Sequence, residues 1–428
     1  VSAIVGIALA GGLGVRARPI TLGPPGQVRS KATIRLLGRP LIEWQVDTLN
    51  EQGIGEFCVV AKGHENRCQI TDVLGYGERH GIRVRYSRSR HDRVNAGSGE
   101  ATMRNLEYWE LDGLALVFPT DSVFEFDLGA MVHAHRTSGA VLTVGSVRHD
   151  PEVVAGKYGA MVTNENGWCT GFLEKPSLAG LRATLGPVSS VDTNAGLYLV
   201  DCRYFRSLLA SGMLVGMLSS RLDWGRDLLP WLVARGAPVR AWPIERFGDL
   251  GSPRDYLETM RAVLGGDYPQ LTKMLATQFG DDESWVHESS LRLRDRVTGR
   301  TLADRIRHGL VDIGPGVRIG QDVEIGTGAR IARSDLDDGV DVGDGADLQG
   351  VACMPGAMIG EHARLRDTYV GTMTRVDSIA GYPVTTDGYT AIGDEVTIGR
   401  GVRLSGSTVH PGLTVQAGEG VPTPRFHR

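Results

Sequence analysis

The feature that most narrows what this chain can become is a six-residue rhythm in its last third. Ile313-Gly314, Ile319-Gly320, Ile325-Gly326 and Ile331-Ala332 set an aliphatic residue, then a small one, at every sixth position. The rhythm returns at Val342-Gly343 and Leu348, at Ile359-Gly360 and Leu365, and at Ile392-Gly393, Ile398-Gly399 and Leu404. Such a phase marks a parallel β-helix: each aliphatic side chain stacks inward on the one before it, and small residues admit tight corners. A loose glycine-rich linker would not hold the phase. Residues 371–389 break it and are expected to loop out of one coil. The exposed edges of a solenoid favour stacking on another copy, so a homo-oligomer is expected.

The beginning of the chain has a different texture. Residues 5–10 read as a buried strand running into Gly11-Gly12-Leu13-Gly14-Val15-Arg16. Backbone amides free of Cβ atoms gather round an anion, and an arginine just beyond supplies fixed charge for phosphate. Arg18 to Thr21 leads into Leu22-Gly23-Pro24-Pro25-Gly26, which cannot continue regular structure. Lys31 follows, then a helical pattern over residues 41–52 with Ile42, Trp44, Val46 and Leu49 on one face. Strands are expected at 56–61, 83–86 and 114–118, and a helix through Trp109 opened by Gly97-Ser98-Gly99-Glu100. Alternating strands and helices imply an α/β fold with a mostly parallel, Rossmann-like sheet. Ligands of such sheets bind beyond the carboxyl ends of the strands, where Gly11, Gly12 and Asp121 fall.

At 428 residues the chain is too long for one core. It is read as a catalytic domain over 1–264, a mixed polar connector over 265–309, and the β-helix over 310–428. A net charge of −4 gives no field to draw in nucleic acid or an anionic membrane. No apolar run approaches the length that spans a bilayer, and the first residues lack the basic flank of a signal peptide. Cys58, Cys68, Cys169, Cys202 and Cys353 are scattered, and are expected to be reduced packing residues in a cytoplasmic protein. Asp127 is expected to cap a helix over 128–137. His133 and His135 on that helix would face different ways, so they are not assigned as a ligand pair.

In this order the motifs resemble those of the sugar-phosphate nucleotidylyltransferases, or NDP-sugar pyrophosphorylases. The run Leu9 to Thr21, then Lys31, then Gly38-Arg39-Pro40-Leu41-Ile42 is similar to that family's signature. Val117-Phe118-Pro119-Thr120-Asp121, Phe172-Leu173-Glu174-Lys175-Pro176, Asp192 to Tyr198, and Phe247-Gly248-Asp249-Leu250-Gly251-Ser252-Pro253 follow in the family's order. Some positions depart from it. Val15 replaces a threonine, Thr120 a glycine and Ala32 a proline; Arg39 replaces a lysine, and Glu100 lies in an altered turn.

The resemblance implies attack of a sugar 1-phosphate, or an unusual cyclitol 1-phosphate, on the α-phosphorus of an NTP. The products are an NDP-sugar and pyrophosphate. Leu9, Gly11, Gly12, Gly14, Gly97, Ser98 and Glu100 would bind the nucleotide. Gly159, Glu174, Lys175 and Asn194 would bind the sugar phosphate. Arg16, Lys31 and Asp121 would be catalytic, and Asp121 with Asp249 would hold Mg²⁺. The resemblance also implies that the β-helix is left-handed. The Gly11-Gly12 pair is closer to the guanylyl-, thymidylyl- and adenylyl-transferring branches than to bacterial uridylyl ones, and GTP is favoured. A carboxylate at Glu100 beside the nucleotide would suit guanine; its plain alternative is a solvated residue at a helix start. Two other functions stand beside this one: an added acyltransferase activity, with His362 or His410 as base, and a silent subunit that binds sugar nucleotides without turnover. His362 and His410 are read more simply as corner residues of the solenoid.

Overall fold

The computed structural model describes residues 4–24, 27–88, 97–218, 221–275 and 284–417. Pro25-Gly26, part of the expected connector and the last residues of the expected β-helix domain lie outside them. The chain forms two compact units that do not follow chain order: Val1–Gly12 with Ile42–Phe247, and Leu13–Leu41 with Gly248–Arg428.

The first unit is built on a nine-stranded sheet. Strand Val5–Ala10 lies at its centre, parallel to both Glu56–Ala61 and Leu114–Pro119, with Ile7 opposite Cys58 and Val117. Arg83–Tyr86 extends the parallel side. On the other side Val191–Asp201 runs antiparallel to Leu114–Pro119, so the sheet is mixed but mostly parallel. The central strand is buried on both faces, which is why it reads as a continuous apolar run. Its glycine has a packing cause: a Cβ on Gly6 would stand 2.5 Å from the ring of Phe57, which meets Phe118 edge-on. Helices Leu41–Glu51 and Gly97–Tyr108 form where the 3.6-residue period placed them, and Ile42, Trp44, Val46 and Leu49 are all buried. Asp127 caps Leu128–Ser138 by accepting from the Ala130 amide at 2.8 Å. The five cysteines are unpaired; Cys68 is exposed and the other four are buried. Among the described residues no helix is long and apolar enough to cross a membrane.

The second unit contains a left-handed β-helix whose three faces are parallel sheets of two- and three-residue strands. Three inward ladders form its core. Ile319, Leu336, Cys353, Val370, Ile392 and Val409 make one; Ile325, Val342, Ile359, Val376, Ile398 and Val415 make another. The third runs Ile313, Ile331, Leu348, Leu365, Thr386, Leu404. Where a glycine follows the aliphatic, the next coil demands it: a Cβ on Gly326 would stand 2.4 Å from the Asp344 amide nitrogen.

Two expectations are corrected. Residues 371–389 are not one excursion, since strands Arg375–Val376 and Thr385–Asp387 lie within them and keep the coil going. Only the corner between those strands is longer, and threonine at position 386 hid the aliphatic phase. The stretch 265–309 is more than a connector. Ser284–Val286 pairs with Val317–Ile319 and begins the first face, while Leu302, fully buried, packs into the β-helix core. The end of an apolar stack needs covering, and these residues cover it.

Candidate active site

Leu9, Gly11, Gly12, Gly97, Ser98, Glu100, Asp121, Gly159, Glu174, Lys175 and Asn194 fall in the first unit; Gly14, Arg16, Lys31 and Asp249 fall in the second.

In the first unit the end of the central strand is tied to its neighbours. Thr120 Oγ1 donates to the Leu9 carbonyl at 3.1 Å, so the hydroxyl that replaces the family's glycine joins the glycine-loop strand to the Asp121 turn. Gln45, nearly buried, grips the same turn from the helix side. Its Nε2 donates to the Pro119 carbonyl at 2.8 Å and the Ser122 carbonyl at 2.6 Å, one on each side of Asp121. Nothing in the local sequence marks Gln45, because its role depends on a contact 74 to 77 positions away.

Gly159, Glu174 and Asn194 come together. Asn194 lies on Val191–Asp201, which bulges between Asn194 and Tyr198 at Gly196, whose φ is 75°. Its amide oxygen accepts from the Gly196 amide at 2.8 Å and its Nδ2 donates to the Tyr198 hydroxyl at 2.8 Å. The Asn194 backbone amide donates to the Gly159 carbonyl at 2.9 Å. The Glu174 carboxylate fits between two glycines: a Cβ on Gly159 would stand 2.9 Å, and one on Gly225 2.8 Å, from its Oε2. Burial pushes the Glu174 carboxyl above the usual range, against the pull of Lys175 at 4.0 Å. Lys175 holds a left-handed backbone (φ 46°), unusual for a side chain of its kind, and leaves that side chain more than half exposed. The Tyr198 ring stacks on Trp224 with centroids 4.5 Å apart.

Residues 222–225, absent from the expected site, join this cluster to the helix start at Gly97. The Leu222 carbonyl accepts from the Gly99 and Glu100 amides at 2.9 and 3.0 Å, and Asp223 Oδ1 accepts from the Ser98 amide at 3.1 Å. The orphan amides of that helix start are therefore satisfied by protein. Gly97 (φ 82°) allows the approach, since a Cβ there would stand 2.4 Å from the Leu222 oxygen. Glu100 is not a solvated helix-start residue: it is 3% exposed and accepts from Arg104 Nε at 2.6 Å. His135 of helix Leu128–Ser138 points into the core. It is buried with Nδ1 2.8 Å from Thr143 Oγ1, and desolvation lowers its pKa to about 4.

In the second unit Gly14 (φ 65°) precedes the short turn Val15–Ala17 that carries Arg16. Its carbonyl accepts from Thr21 Oγ1 at 2.8 Å, and a Cβ on Gly14 would stand 2.7 Å from Thr21 Cγ2. Lys31 opens another short turn, Lys31–Thr33. Asp249 Oδ1 accepts from the Gly251 amide at 2.9 Å, and its own carbonyl accepts from Thr259 Oγ1 at 3.1 Å, which anchors it on helix Pro253–Leu264. His362 stands at an exposed solenoid corner with φ 54°.

The chain is similar to several known proteins. Over 264 residues it is 28% identical to a UTP–glucose-1-phosphate uridylyltransferase of Synechocystis sp., spanning 60% of this chain and 62% of that one. Over 409 residues it is 25% identical to a probable mannose-1-phosphate guanylyltransferase 2 of Oryza sativa subsp. japonica, 94% of each chain. Over 418 residues it is 25% identical to a mannose-1-phosphate guanyltransferase of Debaryomyces hansenii, 96% of this chain and 97% of the relative. Residues 5–265 match the nucleotidyl transferase family, and the chain belongs to it.

Proposed function

We propose that this protein joins an NTP, with GTP favoured, to a sugar 1-phosphate or cyclitol 1-phosphate, giving an NDP-sugar and pyrophosphate. The observation that carries the reading is the Glu174 carboxylate held between Gly159 and Gly225, beside Asn194 and Lys175. An acid for sugar hydroxyls next to an exposed lysine for phosphate suits that acceptor. GTP is favoured because relatives along nearly the whole chain, β-helix included, are named guanylyltransferases. It is not favoured because of Glu100, whose carboxylate is engaged by Arg104. An adenylyl or thymidylyl donor is the alternative, and a relative over part of the chain is named a glucose-1-phosphate adenylyltransferase.

In this reading the acceptor's phosphate is already a nucleophile, so no general base or covalent intermediate is needed. Lys175 holds the attacking phosphate, and Glu174 and Asn194 bind the sugar, with Asn194 also tied to the Tyr198 hydroxyl. Arg16 and Lys31 offset charge on the triphosphate and on the departing pyrophosphate. Alignment and electrostatics supply most of the rate. Asp121 and Asp249 would hold a divalent cation. Among the described residues no group of three or more His, Cys, Asp or Glu forms a metal site by itself. Two hard carboxylates suit an ion such as Mg²⁺, which takes oxygen ligands. When bound, it supplies charge neutralisation at the α-phosphate.

The test is a matrix of NTPs against sugar and cyclitol 1-phosphates, read by pyrophosphate release. Release with GTP and a hexose 1-phosphate is expected. Release with no pair, while NDP-sugars still bind, would favour the silent subunit instead; acyl-CoA turnover would favour the acyltransferase.

A further inference from the structure

We propose that Asp337 and Asp394, two carboxylates of the β-helix, are positioning residues for the segment that carries Arg16 and Lys31. The proposal rests on the reading that these two cations meet the triphosphate. The segment Leu13–Leu41 belongs to the same compact unit as the solenoid. Lys31 lies between Arg29 and Arg35, and both arginines end on solenoid acids. Arg29 Nη2 pairs with Asp394. Arg35 forms a forked pair with Asp337, Nε to Oδ2 at 2.6 Å and Nη2 to Oδ1 at 2.9 Å. The two acids are shielded, with side chains 0% and 5% exposed.

The Arg29 link runs on to the turn that carries Arg16. Arg29 Nη1 donates to the Ile20 carbonyl at 3.0 Å, and its amide donates to the Thr21 carbonyl at 2.9 Å. Thr21 in turn holds the Gly14 carbonyl just before the Arg16 turn. At the other end Arg35 Nη2 also donates to the Gly38 carbonyl at 2.6 Å, and its own carbonyl accepts from the Tyr256 hydroxyl at 2.8 Å. Gly38 (φ 82°) leaves room for Arg318, whose Nη2 would lie 1.8 Å from a Cβ there. Arg318 Nη1 donates to Asp335 at 2.6 Å, and its Nη2 stands 3.7 Å from Asp337.

Buried ion pairs are weak devices for stability, because desolvation offsets most of the attraction; fixing one arrangement is their better-attested use. Here the arrangement fixed is that of a lysine and an arginine whose charges must meet one ligand. The solenoid thus takes part in the reaction by holding these cations in place, beyond any part in assembly. Displacements of about 1 Å at such groups cost up to about a hundredfold in rate.

The experiment compares Asp337→Asn, Asp394→Asn and a control, Asp367→Asn, in the full chain. Asp367 pairs with Arg261 of helix Pro253–Leu264, which lies outside the segment. We expect the KM for the accepted NTP to rise about ten- to a hundredfold in the first two variants. The KM for the sugar 1-phosphate should stay within about twofold, and the control should behave as the parent. Should an aspartate variant fail to fold, Arg35→Lys keeps the charge but loses the fork, and Arg29→Lys keeps the charge but cannot hold Asp394 and the Ile20 carbonyl together. Each should still raise the NTP KM severalfold. Unchanged NTP KM in the folded variants, or an equal loss in the control, overturns the proposal. Lys31→Ala separates the two levels. If it keeps near-normal turnover, the triphosphate reading itself fails; if it is dead while D337N and D394N are normal, only the positioning role fails.

Discussion

The Glu174 carboxylate occupies the space a side chain at Gly225 would need: Oε2 lies 2.8 Å from the position of a Cβ on that glycine. The two residues are far apart in sequence, and Gly225 lies in the helical turn Trp224–Leu228, directly after the Leu222 and Asp223 that hold the Gly97 helix start. Alanine at 225 must therefore move the acid. We expect Gly225→Ala to raise the KM for the sugar 1-phosphate about tenfold and to leave that for the NTP nearly unchanged, because the lost contact is to one substrate. Steady-state kinetics with each substrate varied in turn decides it. A rise in both constants alike would mean that Glu174 does not face the acceptor.

Asp121 and Asp249 are each fixed by a separate scaffold, the first by the turn that Gln45 grips and the second by Gly251 and Thr259. Asp121→Ala and Asp249→Ala should each lower turnover by about a thousandfold or more, the loss of several kcal/mol of charge stabilisation. Thermal unfolding should stay close to that of the parent. Chelation by EDTA should abolish activity of the parent, and added Mg²⁺ should restore it. Near-normal rates in either variant with Mg²⁺ present would refute the metal assignment.

What the sequence disclosed follows from the range of each signal. The apolar run of strand Val5–Ala10 and the periods of helix Leu41–Glu51 and of the solenoid hexads are strong within a few residues, and they stand where the pattern placed them. Ser284–Val286 is too short for a period, so its place at the head of a solenoid face was hidden. Gln45 and residues 222–225 matter through contacts with distant backbone, which no spacing reports. Glu100 reads as polar at a helix start, yet an arginine one turn on allows it to be buried. The same limit applies to Arg29 and Arg35, ordinary loop arginines until their partners at 394 and 337 are seen.

The solenoid core offers a direct energetic test. Leu348 is fully buried, with Ile331 on one coil and Leu365 on the next. Leu348→Ala removes three carbons where neighbours above and below are fixed by short parallel strands, so the cavity cannot close well. The expected cost is about 2–5 kcal/mol, read from denaturant or thermal unfolding of the full chain. A loss below about 1 kcal/mol would mean that the coils adjust more freely than their ladders imply.

His135 gives the chain a definable response to acid. Its imidazole is buried against Thr143, and desolvation lowers its pKa from 6.5 to about 4, outweighing the opposing pull of Asp201. Above pH 6.5 the ring is neutral in both folded and unfolded chains and contributes no slope. Between 6.5 and about 4 the unfolded chain takes up a proton that the folded chain refuses, so stability falls as pH falls. Below about 4 both forms are charged and the contribution levels off. His135→Gln cannot titrate, so the stability advantage of the parent over this variant should shrink steadily across that window. The measurement is Tm against pH for both proteins in matched buffers. Parallel curves from pH 6.5 to 4 would show that His135 is charged in the folded protein, contrary to its burial.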